Sequence, residues 1–476
     1  MPVDGPGRPA ATVRAMNVAA FRDRRTRLAA QLRAAGGGIA LLPTAPERPR
    51  NADSDHPYRH DSHFHYLTGF DEPGAWLLVR NDGRSTVLCR EKDPEREIWD
   101  GLRLGSAAAP QQLGVDEAFA VDALDTVVTE RLADQPAVWI PAGIEGLQPR
   151  LDAWLATLRA RERSGVRAPT TQHDLNPLLA EMRLIKDDGE LATMRRAAAI
   201  SAGAHRRAMR FCAQRFRAEP HGSVREYEIE AELLHEFRRQ GASGPAYGSI
   251  VAAGANACVL HYAAAAAELH AGELCLIDAG CEVDGYASDV TRTFPADGRF
   301  SAAQRELYEI VEAAQRAAVD ATRPGARQRD AHGAAVRVLA QGMLDCGLLN
   351  RQAVGDVDAV IESAAYRPFY MHGTGHWLGR DVHDVGDYLA RDEAPVDQPD
   401  GLGGRVVRNP SRVLQPGMVV TLEPGLYVRP AAGVPERYWN IGIRIEDDAV
   451  VTANGCELIS RAVPVAAAEI EALMRG

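Results

Sequence analysis

The feature that most constrains this chain is a set of acidic residues set inside apolar, strand-like runs. The clearest case is Leu274-Cys-Leu-Ile-Asp-Ala-Gly-Cys-Glu-Val-Asp-Gly-Tyr-Ala-Ser-Asp-Val-Thr-Arg-Thr-Phe294. Asp284-Gly285 is a favourable two-residue type I′ hairpin turn. With that turn, Val283 pairs with Tyr286 and Gly280 with Asp289. Alternation then puts Asp278 on the same face as Gly280. Asp278 and Asp289 become diagonal neighbours, roughly 7–8 Å apart between backbones and within reach of one common object. Two acids facing each other among Leu, Ile and Val are costly without a positive charge between them. Either a metal ion supplies it, or one acid turns to solvent and the other pairs with Arg292. This segment alone leaves both readings open.

Two further runs repeat the pattern. Val419-Val-Thr-Leu-Glu423 ends an apolar strand on an acid, and Ile441-Gly-Ile-Arg-Ile-Glu446 alternates Arg444 and Glu446 against Ile443 and Ile445. Four embedded carboxylates on three strands call for a shared positive centre. Between them, Met371-His-Gly-Thr-Gly-His-Trp-Leu-Gly-Arg-Asp-Val-His-Asp384 carries His372, His376 and His383. The spacing of His372 and His376 imitates a helical zinc-protease motif, but that motif needs Glu after the first His, and Gly373 stands there. The glycines predict an irregular segment of close backbone approach. A lone His is more often a satisfied core residue; three beside four acids favour a site. His261, read as ending the apolar strand Cys258-Val-Leu-His261, is ambiguous by itself. Four acids and one His make an oxygen-rich donor set, suited to a hard or borderline ion such as Mn²⁺. The oxygens suffice for two ions, which predicts metal-assisted hydrolysis, with the spare histidines donating to a developing oxyanion.

Composition narrows the class. With 476 residues, two or three domains are expected. A net charge of -11 argues against a nucleic-acid binder. Seven cysteines, an odd number with no Cys-x-x-Cys, argue against a disulfide framework and for reduced thiols in a cytoplasmic protein. The N-terminus lacks an export signal, and no apolar run reaches the roughly 20 residues of a membrane helix. The chain uses two lysines against 52 arginines, and alanine is abundant. A GC-rich genome accounts for both, and we read no function into them.

Along the chain, residues 1–15 are rich in Gly, Pro, Ala and Arg and are expected to be mobile. A helix is predicted over about 19–35, a strand at 39–43, and a hairpin from Trp76–Arg80 and Thr86–Arg90 around Asn81-Asp-Gly83. Residues 164–177 read as a linker. Long helices follow at 187–217 and about 224–240, strands and hairpins at 246–294, helices at 301–348 and strands at 417–452. The fold class is α/β (α+β), with domains at 1–178 and 179–476.

These motifs resemble the pita-bread metallopeptidases, specifically the aminopeptidase P (Xaa-Pro aminopeptidase) family. The residues that carry the resemblance are Leu276-Ile-Asp-Ala-Gly280, Ser288-Asp-Val-Thr-Arg-Thr-Phe-Pro295, His372-Gly-Thr-Gly-His-Trp-Leu-Gly379 with Asp381-Val-His-Asp384, Thr421-Leu-Glu-Pro-Gly-Leu-Tyr427 and Ile441-Gly-Ile-Arg-Ile-Glu-Asp-Asp448. In the first domain they are Pro57-Tyr-Arg59, Tyr66-Leu-Thr-Gly-Phe70 and Glu97-Ile-Trp99. The resemblance covers nearly the whole chain after about residue 17. It implies an N-terminal domain like that of creatinase and prolidase, followed by a catalytic pita-bread domain. It implies two Mn²⁺, with other divalent ions open, held by Asp278, Asp289, His376, Glu423 and Glu446, of which Asp289 and Glu446 bridge. Glu423 also moves a proton to or from the nucleophilic water. His383 stabilises the gem-diolate and His261 holds the substrate around proline. His372, Tyr427 and Arg444 shape the pocket. Trp99 reaches a neighbouring subunit's site in a tetramer, so a dimer or homotetramer is expected. The implied reaction removes the N-terminal residue of a peptide whose second residue is proline. Two departures stand out: residues 389–410 form an extra loop, and Asn440 replaces an expected glycine.

Prolidase, with the same fold and metal set but acting only on Xaa-Pro dipeptides, is the nearest alternative. Trp377, the wording of 441–448 and Glu97-Ile-Trp99 look more like aminopeptidase P. Methionine aminopeptidase lacks the large N-terminal domain. Non-catalytic pita-bread binding modules and creatinase-like amidinohydrolases lack the metal ligands, and all five are present here.

Overall fold

The computed structural model describes residues 18–263 and 265–476. The expected mobility of residues 1–15 falls outside the described residues. The chain divides into two compact units, Met1–Met182 and Arg183–Gly476, and the division lies within the helix Asn176–Leu184.

The first unit is built on a six-stranded mixed sheet. Its spatial order is Glu117–Ala120, Ser85–Cys89, Trp76–Arg80, Ile39–Pro43, Ala137–Ile140, Thr171–Asp174. The hairpin predicted around Asn81-Asp-Gly83 forms, with Trp76 opposite Leu88 and Val79 opposite Ser85. The period-2 rule sorts side chains onto two cores. Ala40, Leu42, Leu77 and Val79 join one cluster, while Ile39, Leu41, Trp76 and Leu78 join another on the opposite face. The stretch read as a linker differs: Thr171–Asp174 adds the edge strand, parallel to Ala137–Ile140. Its polar sequence carries no apolar alternation because an exposed edge needs none.

In the second unit, the helices Asp188–Ala218 and Glu226–Arg239 pack on each other, as do Ala302–Ala321 and Gln328–Asp345. The first of these starts on a capping box, with Asp187 accepting from the Glu190 amide and Glu190 from the Asp187 amide. The amphipathic faces of these helices and the inner strands share one continuous core. This is the expected pita-bread architecture, following the mixed α/β unit in the sequence. The segment 389–410, read from sequence as an extra loop, contains a two-stranded hairpin, Val396–Pro399 with Arg405–Arg408. Asn440 is in the left-handed region at φ 63°. Among the described residues no helix is long and apolar enough to cross a membrane.

The predicted hairpin around Asp284-Gly285 is present, with Val283 opposite Tyr286 and, in the same register further on, Asp278 opposite Thr291. Asp284 and Gly285 both have positive φ, 49° and 76°, as a type I′ turn requires.

Candidate active site

The strands deliver their acids at strand ends, where the pleat breaks, rather than inside. Asp278 is the last residue of Leu274–Asp278, and Asp289 lies between Tyr286–Ala287 and Thr291–Pro295. Glu423 follows Val419–Leu422, and Glu446 follows Ile441–Arg444. A backbone bridge between Thr291 and Glu446 joins the two halves of the cluster. All four acids, with His376, His383 and His261, line one cavity of about 710 Å³.

His376 sits in the irregular segment the glycines predicted. A Cβ on Gly375 would lie 1.9 Å from the Thr421 carbonyl oxygen, so only glycine lets the segment lie against that strand. His376 Nδ1 donates to the Trp377 carbonyl at 2.9 Å. That fixes the tautomer and leaves Nε2 aimed at Asp289 Oδ2 (3.4 Å) and Glu423 Oε1 (3.8 Å). Asp289, His376 and Glu446 bring one donor atom each to within 4.8 Å of one another. Asp278 is held by Arg444 Nη2 at 2.5 Å and by the Tyr247 hydroxyl at 2.6 Å, and that hydroxyl also reaches Asp289. Glu446 accepts from Thr291 Oγ1 at 2.6 Å, and Asp448 accepts from the Asp289 amide at 3.1 Å.

The alternative pairing with Arg292 does not occur. Arg292 is fully buried on Asp447, at 2.8 Å, and also donates to the Glu446 carbonyl. Neither Asp278 nor Asp289 is turned out to solvent.

The electrostatics show what the cluster lacks. Burial, followed by the charges of Asp289, Glu423 and Asp278, pushes Glu446 well above the usual carboxylate range. Burial also pushes Glu423 up to about 7, against the pull of His376 and Arg444. Burial opposes ionisation of Asp289, but its contact with His376 outweighs that and holds it low. His376 is raised to about 9: burial works against protonation, and Asp289 overcomes it. Four carboxylates thus share two cationic side chains, Arg444 and His376. An imidazole nitrogen aimed at carboxylates needs a proton or a metal between them. The donor set, four carboxylates and an oriented imidazole, fits a divalent cation.

The pocket residues form a second network. His372 Nδ1 donates to the Gly373 carbonyl (2.7 Å), and its Nε2 accepts from the Tyr427 hydroxyl (2.8 Å). The Tyr427 oxygen in turn accepts from Arg444 Nη1 at 3.0 Å. Burial, then the Arg444 charge, lowers His372 to about 3, which keeps it neutral. His383 stacks on His376 with centroids 4.0 Å apart; burial and then the His376 charge lower its pKa. His261 is not at a strand end. It lies in a turn after the 3₁₀ helix Gly254–Cys258, and the apolar run was misleading because Ala257 and Cys258 pack inward from that helix. Trp99 belongs to the first unit, on the helix Pro94–Asp100, and is 84% exposed.

Sequence reasoning missed Tyr247, Thr291 and Asp448. Thr291 and Asp448 lie inside motifs already singled out, but Tyr247 stands in a Gly-Pro-rich stretch with no chemical signal of its own. A second group, His60, His65 and Asp71, lies in the first unit. Its two rings stack at 16° and 3.7 Å, with nitrogens 3.3 and 2.7 Å from Asp71 Oδ1. Parallel rings do not direct in-plane lone pairs at one ion, so we read a hydrogen-bonded cluster there.

Known proteins resemble the chain throughout its length. The model of metallopeptidase family M24 matches residues 192–453, and that of the aminopeptidase P N-terminal domain matches residues 21–139. An Xaa-Pro aminopeptidase of Escherichia coli is 43% identical over 459 residues, covering 95% of this chain and 97% of the relative. A human Xaa-Pro dipeptidase is 33% identical, covering 96% and 94%. Among solved structures, an aminopeptidase of Pseudomonas aeruginosa superposes with a TM-score of 0.88 at 45% identity, covering 97% of this chain and 98% of that one. A buried carboxylate–imidazole cluster, two matched domain models and relatives aligned over nearly their full length agree: the chain belongs to metallopeptidase family M24, in its aminopeptidase P branch.

Proposed function

We propose that the chain hydrolyses the bond between an N-terminal residue and a penultimate proline, as an Xaa-Pro aminopeptidase. The observation that carries this reading is His376 Nε2, fixed by the Trp377 carbonyl and aimed into a group of four carboxylates. Asp278, Asp289, His376, Glu423 and Glu446 would hold a pair of divalent ions, for which the oxygen-rich set favours Mn²⁺. Ions held there supply an activated water at neutral pH and withdraw electrons from the scissile carbonyl.

The remaining steps belong to the chain's own side chains. Glu423, whose carboxylate faces His376 Nε2 in the same cavity, is the group that takes a proton from the attacking water and returns it to the leaving proline nitrogen. His383, kept neutral beside His376, donates to the carbonyl oxygen as it takes on negative charge. His261, on the cavity wall, packs against the proline-containing end of the peptide. Arg444 is held on Asp278 and Tyr427, so with His372 it shapes the wall and orients Asp278.

The seven thiols are free, which supports a cytoplasmic setting. Exposed Trp99, Ile98 (81%) and Leu102 (70%) support a homotetramer in which this face meets a neighbouring subunit. The test is Mn²⁺-dependent release of alanine from Ala-Pro-Ala beside Ala-Pro. Cleavage of the tripeptide is expected. Cleavage of the dipeptide alone would make the chain a prolidase, and cleavage of neither, with metal bound, would overturn the peptidase reading.

A further inference from the structure

Lys186 is one of only two lysines in a chain that otherwise uses arginine. The other, Lys92, is exposed, whereas Lys186 is 4% exposed. Its Nζ donates to Asp384 Oδ2 at 3.0 Å, and Arg183 Nη2 holds Asp384 Oδ1. The side chains of all three residues are 1% exposed. The same Arg183 nitrogen reaches Asp381 Oδ2 at 2.7 Å, so the pair of cations engages both acids of the segment. The fit is tight: a Cβ on Gly379 would lie 2.1 Å from Asp384 Oδ2 and 2.9 Å from Lys186 Cε. That leaves no space for a side chain at position 379, so the loop backbone lies directly against the Lys186–Asp384 pair.

Asp384 connects this cluster to the cavity through the backbone. Its amide donates to the Trp377 carbonyl at 2.8 Å, the same oxygen that accepts from His376 Nδ1. The residue before it, His383, stacks on His376. One carbonyl therefore sets the tautomer of His376, and the residue that anchors this carbonyl is itself clamped by two buried cations.

We propose that Lys186, Arg183 and Asp384 are positioning residues that hold His376 and His383 in their working orientations. The proposal rests on the reading of the cavity as a metal-dependent peptidase centre. Asp384 approaches neither imidazole with its carboxylate. It acts through the loop 377–384, whose two ends its amide ties together at the Trp377 carbonyl.

The test compares the full chain with Lys186→Met, Asp384→Asn and the double variant. Three quantities are read: the unfolding midpoint of the metal-free protein, the Mn²⁺ dissociation constant by electron paramagnetic resonance, and kcat and KM for Ala-Pro-Ala. Folded Lys186→Met, assayed well below its midpoint, is expected to bind Mn²⁺ about 10–100-fold more weakly. At saturating Mn²⁺ its kcat falls about tenfold while KM stays within twofold. A crystal structure of the metal-free variant is expected to show His376 Nδ1 displaced from the Trp377 carbonyl. If a single variant does not fold, the double variant keeps the Arg183–Asp381 pair, leaves no lone ammonium, and is expected to show the same loss. Unchanged Mn²⁺ affinity and kcat in any folded variant would overturn the proposal and leave the cluster a purely stabilising one. If the unaltered chain binds Mn²⁺ but cleaves no peptide, the peptidase reading falls separately, and the affinity measurement still decides the clamp.

Discussion

His376 Nε2 faces Asp289 Oδ2 across 3.4 Å, while its other ring nitrogen is committed to a backbone carbonyl. Without a metal this nitrogen takes a proton, which is why His376 is raised to about 9. A divalent ion replaces that proton, so binding releases protons at pH 7. Asp289→Asn removes the buried charge that faces the ring. It is expected to abolish tight Mn²⁺ binding and to lower kcat/KM by roughly a thousandfold. Metal analysis of the purified variant beside peptide kinetics checks this. Chelation of the unaltered chain should give the same loss, reversed by added Mn²⁺.

The Tyr247 hydroxyl lies between two acids that repel each other, bonded to Asp278 at 2.6 Å and also to Asp289. Burial, then the charges of Asp278, Asp289 and Glu446, raises its pKa well above the usual tyrosine value, so it stays a donor. Tyr247→Phe keeps the ring and removes the donor. Metal affinity should fall about tenfold, the lower end of the range for groups that orient metal ligands. The unfolding midpoint should drop by only a few degrees. An isothermal titration with Mn²⁺ and a thermal melt separate the two effects.

Local rules made part of this centre legible in the sequence. The Asp284-Gly285 turn fixed the register that aligns Asp278 with Thr291 and brings Asp289 into reach. Alternation put Arg444 and Glu446 on one side, and glycines marked the irregular histidine segment. Tyr247, Lys186 and the Arg292–Asp447 pair were not legible, because their partners lie 42, 198 and 155 residues away. Such pairs are chosen by tertiary packing, which no periodicity encodes. The edge strand Thr171–Asp174 was missed for the reverse reason: its pairing is backbone-only and leaves no side-chain pattern.

Asn440 stands where glycine was expected, and its φ of 63° explains the expectation. Asparagine is among the few side-chain-bearing residues that visit this region readily. The side chain is exposed, so backbone strain dominates any substitution. Asn440→Val is expected to destabilise by about 1–2 kcal/mol, and Asn440→Gly to change stability by less than about 0.5 kcal/mol. Urea unfolding of the two variants checks the order; equal costs would mean that the left-handed backbone is not what selects the residue.

Trp99 is 84% exposed and contributes almost nothing to the core of its own unit. Trp99→Ala should therefore leave the unfolding midpoint of a dilute sample nearly unchanged, as surface substitutions do within about 0.5 kcal/mol. In the proposed assembly it should weaken association and raise KM while bound metal stays constant. Sedimentation velocity and peptide kinetics at matched concentrations read both effects. A variant that still assembles and keeps its KM would remove Trp99 from the interface.

His205 makes the stability of the fold depend on pH without touching a metal-donor atom. It is fully buried, and Nε2 donates to the Ala279 carbonyl at 2.9 Å. Among the described residues Nδ1 has no hydrogen-bond partner, so a proton added there is buried without an acceptor. Burial accordingly lowers the group to about 4. An unfolded histidine titrates near 6.5. Between those values the unfolded chain binds the proton and the folded chain does not, so stability rises with pH across the window. The contribution is complete above pH 6.5 and shrinks as pH falls toward 4. Between pH 8 and pH 5 the loss from this residue is about 2 kcal/mol. His205→Gln retains a donor for the Ala279 carbonyl and has no titration. It should cost stability at pH 8 yet lose about 2 kcal/mol less than the unaltered chain on going to pH 5. Urea unfolding of the metal-free proteins at the two pH values measures that difference, and identical losses would show that the neutral burial of His205 is not the source.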